Sequence, residues 1–213
     1  MKRVFLKSAI LTVAVFLIGL YVGIMLDSFR LEEVKTRLTE IDNLWNDVRL
    51  LQQFLEETEN VTPYCNSLLD ENLKIGDRIY SEGVRVEEYE RTNRFADFLL
   101  EKRRYALLDV QFWINSIKLK EMCNANYSTV IYFYSQYNKT PEQRFQDGVL
   151  WDLKQKCGPT IIYITFPADL EISTLEIIKD TYNIKKIPSI LINESIVLES
   201  PVTMREIQNY VKC

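Results

Sequence analysis

From Tyr127 to Cys213 short apolar runs alternate with amphipathic segments, and this alternation constrains the fold more than any other feature of the chain. "STVIYFY" (128–134) reads as a strand, Pro141 to Lys156 as a helix and "TIIYITF" (160–166) as a second strand. "STLEIIKDTYNI" (173–184) follows as a helix, "SILIN" and "SIVLES" as two strands about a tight turn, and "TMREIQNYVK" (203–212) as a closing helix. The order β-α-β-α-β-β-α predicts an α/β domain over 124–213, with a mixed sheet and helices on both faces.

Within this region "YNIKKIPSILI" (Tyr182 to Ile192) resembles the thioredoxin-family pattern Y-x-I-x-x-I/V-P-T, which contains that fold's cis proline. Pro188 stands at the proline, and Ser189 where threonine is usual. The resemblance implies a thioredoxin-like domain with a cis Ile187–Pro188 bond. It also sets "FYSQYNKTPE" (133–142) where thioredoxins carry F-W-A-x-W-C-G-P-C, so that Asn138 and Pro141 occupy the two cysteine positions. Thiol–disulfide exchange needs a thiolate activated at a helix N-terminus and a second thiol to resolve the mixed disulfide. An amide and an imino acid supply neither, so no catalytic residue is expected at this turn. Tyr134, Tyr137, Asn138, Pro141, Ile187 and Pro188 are instead expected to line a shallow peptide groove, the alternative being strand-end core and rim residues. Redox-inactive relatives of this kind imply a binding, scaffold or assembly role with a protein or peptide partner. A thiol oxidoreductase with a non-standard cysteine pair and a structural coiled-coil protein are the rival readings.

The four cysteines, Cys65, Cys123, Cys157 and Cys213, form no C-x-x-C, and four cysteines allow three pairings. The thioredoxin-like topology implies that the helices ending at Cys157 and Cys213 share a sheet face with their C-termini together. It thus implies Cys157–Cys213 and, with it, Cys65–Cys123; free buried thiols and a displaced redox pair are the alternatives. Asn60, Asn126, Asn138 and Asn193 each begin an N-x-S/T sequon and are glycosylation candidates.

The first part of the chain reads differently. Ser8 to Leu26 carries no charge and would rise about 28 Å as a helix, close to the ~30 Å hydrocarbon core of a bilayer. Lys2, Arg3 and Lys7 precede it, and a mixed, slightly acidic flank follows. The expectation is a transmembrane signal-anchor within 1–26, in contact with lipid over 8–26, its N-terminus cytoplasmic and the remainder extracytoplasmic. A cleaved signal peptide and a buried core helix are the alternatives. Residues 27–123 are expected to form a helical stalk before the α/β domain. Leu31, Val34, Leu38, Ile41, Trp45, Val48 and Leu55 follow heptad spacing, which serves either a parallel homodimer through 31–55 or packing on the chain's own later helices. Those later helices are expected from Tyr64 to Tyr80, ended by "SEGV", and from Val86 to Lys120. In the second, Tyr89, Ala96, Leu99, Leu107, Val110, Ile114 and Ile117 are the apolar positions to be buried, and Arg103 and Arg104 face solvent.

A formal net charge of −4 argues against a nucleic-acid partner, which needs a basic footprint. The chain has no histidine, which removes the commonest general base and the commonest metal ligand. Nothing in the sequence points to a cofactor or a metal.

Overall fold

The computed structural model describes the backbone of residues 2–58, 60–91 and 95–213, and the side chains of these except at 2–6, 8–10, 26–38, 41, 85, 88–91 and 95–97. Helix α1 runs Lys2–Glu57, α2 Cys65–Arg91, α3 Phe95–Met122, α4 Pro141–Cys157, α5 Ser173–Thr181 and α6 Met204–Gln208. The strands are β1 Ser128–Tyr134, β2 Ile161–Pro167, β3 Ser189–Ile192 and β4 Ile196–Glu199. Two compact units result, Met1–Asn43 and Leu44–Cys213.

The first unit is helical. Among the described residues no helix is long and apolar enough to cross a membrane. This overturns the transmembrane segment expected before the α/β domain, and the single-pass, extracytoplasmic localisation built on it. The side chains at the ends of the apolar run, 8–10 and 26, lie outside the described residues, as do those of Leu31, Val34, Leu38 and Ile41.

In the second unit a four-stranded mixed sheet has the order β2-β1-β3-β4. β1 is parallel to β2 from Ser128↔Ile161 to Tyr134↔Pro167, and antiparallel to β3 from Val130↔Ile192 to Phe133↔Ser189. β3 and β4 form a hairpin about Asn193 and Glu194, both at positive φ (48° and 54°). Asn tolerates that backbone; Glu does so less readily. Glu194 is held there by two donors, Trp113 Nε1 at 2.9 Å and Thr129 Oγ1 at 2.6 Å. Strand side chains alternate faces. Val130, Tyr132, Ile190 and Ile192 pack with Leu150 and Leu153 of α4 and Ile207 of α6. On the opposite face Phe166 meets Phe133 and Trp113 of α3, whose ring also contacts Tyr182 just beyond α5.

The terminal helices are shorter than expected, for local reasons. α5 stops at Thr181 because Asn183 turns left-handed (φ 55°), returning the Ile184 N–H to Lys179 O at 2.8 Å. α6 is only Met204–Gln208, opened by a capping box between Thr203 and Glu206.

The helical hairpin departs further from expectation. "SEGV" does not end a helix: α2 continues through it to Arg91. Gly83 is there for packing, since a Cβ on it would come within 2.4 Å of the Tyr105 hydroxyl of α3. One heptad earlier, a Cβ on Gly76 would meet Phe112 Cζ at 2.9 Å. Two aromatic rings of α3 therefore rest on bare backbone of α2. α3 itself is buried on a different set of positions from the one expected. Phe98, Tyr105, Ala106, Asp109, Phe112 and Trp113 are buried, whereas Leu99, Leu107, Ile114 and Ile117 are only half-buried and Val110 alone of the described expected set is fully covered. Tyr89 and Ala96 fall outside the described side chains. Arg103 is exposed and Arg104 lies 4.0 Å from Glu101. Polar contacts join α3 to the last turns of α1, including Asn115 Nδ2 donating to Val48 O at 2.6 Å and an ion pair between Lys118 and Glu56. Of the heptad stripe, Val48 and Leu55 are buried inside the chain, Leu55 against Val61 and Leu119.

Candidate functional site

The turn from β1 into α4 is built by two side chains that reach back to its amides. Asp169, from the loop after β2, accepts from Ser135 Oγ (2.6 Å), the Gln136 N–H (2.8 Å) and the Tyr137 N–H (3.2 Å). Gln143 in the first turn of α4 pairs in both directions with Ser135, accepting from its N–H at 3.0 Å and donating to its carbonyl at 3.0 Å. Thr140 caps the helix, its hydroxyl accepting from the Gln143 N–H, and Pro141 occupies the first helical turn, where no N–H is needed. Its own N–H and the Thr140 hydroxyl hold the exposed Glu142 carboxylate below its usual range.

The expected groove residues gather at one end of the sheet without becoming equivalent. Phe133 pairs with Ser189, so the register sets Tyr134 level with Pro188. The Ile187–Pro188 bond is cis, as is Ser200–Pro201. Tyr137, Asn138, Pro141 and Ile187 are exposed, Pro188 is buried, and Tyr134 is half-buried and turned toward the interior, stacked on Tyr132 with centroids 6.0 Å apart. The cysteines form two disulfides, Cys65–Cys123 and Cys157–Cys213, and none is free. Neither bridge is at the turn: Cys157 lies about 24 Å along α4 from Pro141. Of the sequons, Asn60, Asn126 and Asn138 are exposed. Asn193 is committed to the fold, accepting from the Thr129 N–H (3.2 Å) and Lys120 Nζ (3.0 Å) and donating to Tyr210 O (3.1 Å).

No family model and no curated protein matches this chain.

Behind the turn lies a cavity of about 670 Å³, between the α2–α3 hairpin and the sheet where α4 and β2 meet it. Tyr80 and Trp151 stand at its mouth, about half exposed and stacked at 6.2 Å. Tyr134, Gln136 and Gln143 line the side nearest the turn. Two charged residues of α3 are buried in the wall, Lys102 at 3% exposure and Asp109 at 2%. Lys102 Nζ is 3.8 Å from Glu87 Oε1 and 5.4 Å from the Tyr134 ring centroid. Burial pushes the Asp109 carboxyl well above its ordinary range, opposed by the charge of Lys102 and by a hydrogen bond from Tyr105. Asp109 Oδ2 has no hydrogen-bond partner among the described residues. A concave, largely aromatic enclosure with a few convergent polar groups is equipped to hold a ligand. Among the described residues no group of three His, Cys, Asp or Glu could hold a metal ion.

Sequence reading missed Asp169, Gln143, Lys102 and Asp109. Thr140-x-x-Gln143 has the form of a capping box, a legible signal, although Gln143 turns to Ser135 instead of to the cap. Lys102, Tyr105, Asp109 and Phe112 recur at 3-4-3 spacing, so two charges sit in a core stripe; an apolar-only search passes over such a stripe.

Proposed function

We propose that the chain is a non-catalytic binding module with a thioredoxin-like domain, and that the β1–α4 turn with the entry to β3 forms its recognition edge for a protein or peptide. The observation that carries this reading is the turn itself. Its amides are occupied by Asp169 and Gln143, it holds no cysteine, and both disulfides lie elsewhere. Kinship is supported by the sheet order β2-β1-β3-β4, with β3 antiparallel to β1 and Pro188 leading into β3. Exposed Tyr137 and Ile187 flank the edge and supply apolar contact area.

The test has a chemical and a binding arm. The oxidised full chain is expected to leave the rate of insulin reduction by dithiothreitol unchanged, and acceleration above that background would overturn the reading. Peptides selected by display against the full chain are expected to lose at least tenfold in affinity on Tyr137→Ala with Ile187→Ala; binders indifferent to both changes would place recognition elsewhere.

A further inference from the structure

We propose that the cavity between the α2–α3 hairpin and the sheet is a binding site for a primary ammonium group on an apolar stem, with Asp109 as its counter-charge. This does not rest on the kinship proposed above, because every group it uses is read from the cavity. The first support is the unmet valence. Asp109 is 98% removed from solvent by its 2% exposure, lines the cavity, and leaves Oδ2 without a hydrogen-bond partner among the described residues. A buried polar atom is ordinarily satisfied, so an unsatisfied one on a residue of the cavity wall marks a place for a donor.

The sign of the ligand follows from the remaining charges. Lys102 is already answered by Glu87 and by the face of Tyr134. Lys102 also acts on Asp109, so the lining sets Glu87, Asp109 and Asp147 against Lys102 and Lys139, an excess of one negative charge that favours a cation. Tyr80, Tyr105, Phe112, Tyr163 and Trp151 supply ring surface, whose negative faces attract ammonium groups and whose area suits an apolar stem. Burial raises the Asp109 carboxyl, and a cation beside it would draw it back toward the ionised form. Binding should therefore strengthen as pH rises, while the ligand itself stays protonated. Lys102 and Tyr105 on α3, Tyr80 and Glu87 on α2, Asp147 on α4, Tyr132 and Tyr134 on β1, Tyr163 on β2 and Lys139 in the β1–α4 turn are the other titratable groups of the lining. An ammonium of this kind can belong to a free amine or to a lysine side chain.

The experiment is calorimetric titration of the full oxidised chain with phenethylammonium, against phenethyl alcohol and phenylacetate of similar shape. One ammonium per chain is expected, at least tenfold tighter than the alcohol and the carboxylate, with affinity increasing between pH 5.5 and 8. Nα-acetyl-lysine methylamide and its Nζ-acetylated form make the second arm. Binding of the former alone identifies a protein lysine as the source, binding of phenethylammonium alone identifies a free amine, and either supports the site. Asp109→Asn is expected to abolish the preference for the ammonium over the alcohol. Tyr80→Ala, at the exposed mouth, is expected to weaken it at least threefold in a protein whose circular dichroism matches the parent. Phenylacetate binding as tightly as the amine, a flat pH profile, or no binding of any probe at 10 mM would overturn the proposal.

Discussion

Asp169 shows how much one side chain can organise. Its carboxylate collects two backbone N–H groups and a hydroxyl from three consecutive residues, and charge-assisted bonds of this type are worth ~1.5–3 kcal/mol. Asp169→Ala is expected to destabilise the chain by about 2 kcal/mol in urea titrations, with Asp169→Asn intermediate because it retains one acceptor. An unchanged midpoint would mean that water replaces the carboxylate at no loss. Asp109 acts in the opposite sense. Its carboxyl is raised on folding, so the native state keeps a proton that the unfolded chain releases above about pH 4. Wild-type stability should therefore fall as pH climbs from 4 toward the folded value, a decline that Asp109→Asn lacks. Asp147, raised chiefly by burial in the same lining, is present in both proteins and cancels in the difference. Unfolding midpoints of the two are expected to diverge in favour of the variant between pH 4 and 7; parallel profiles would contradict this.

Among the elements, two helix glycines give opposite expectations. Gly83→Ala thrusts a methyl at the Tyr105 ring and should cost about 1–3 kcal/mol of stability despite better helix propensity. Gly148 in α4 has open space where a Cβ would go, so Gly148→Ala should stabilise by about 0.5–1 kcal/mol. Thermal unfolding of the two variants checks both signs at once. The same contrast explains what could be read from sequence. The strands were legible because "STVIYFY" and "TIIYITF" are short β-rich runs between turn residues. The break between α2 and α3 was misplaced because a glycine that relieves a close approach looks, in one dimension, like a glycine that ends a helix. The buried face of α3 was misread because it carries Lys102 and Asp109, polar groups that only the packed fold reveals as interior. The turn was located by its neighbours, yet Asp169 was invisible since it arrives from another loop.

At the scale of the whole molecule the two disulfides matter most. Their sequence separations of 58 and 56 residues correspond to about 4 kcal/mol each in the chain-entropy model. Replacing Cys65 and Cys123, or Cys157 and Cys213, by Ser is expected to lower unfolding stability by roughly that amount, read as a shift of the urea midpoint. The spans 65–123 and 157–213 follow one another without interlacing. Covalently the chain is thus two rings joined by a single thread, and the turn at 135–140 lies on that thread. A tryptic cut after exposed Arg103 or Lys185, each within a ring, leaves one band on a non-reducing gel, whereas a cut after exposed Lys139 releases two pieces with every sulfur bond intact. The edge assigned to partners is also a severable point, so protection of Lys139 by a bound partner would keep the molecule in one piece.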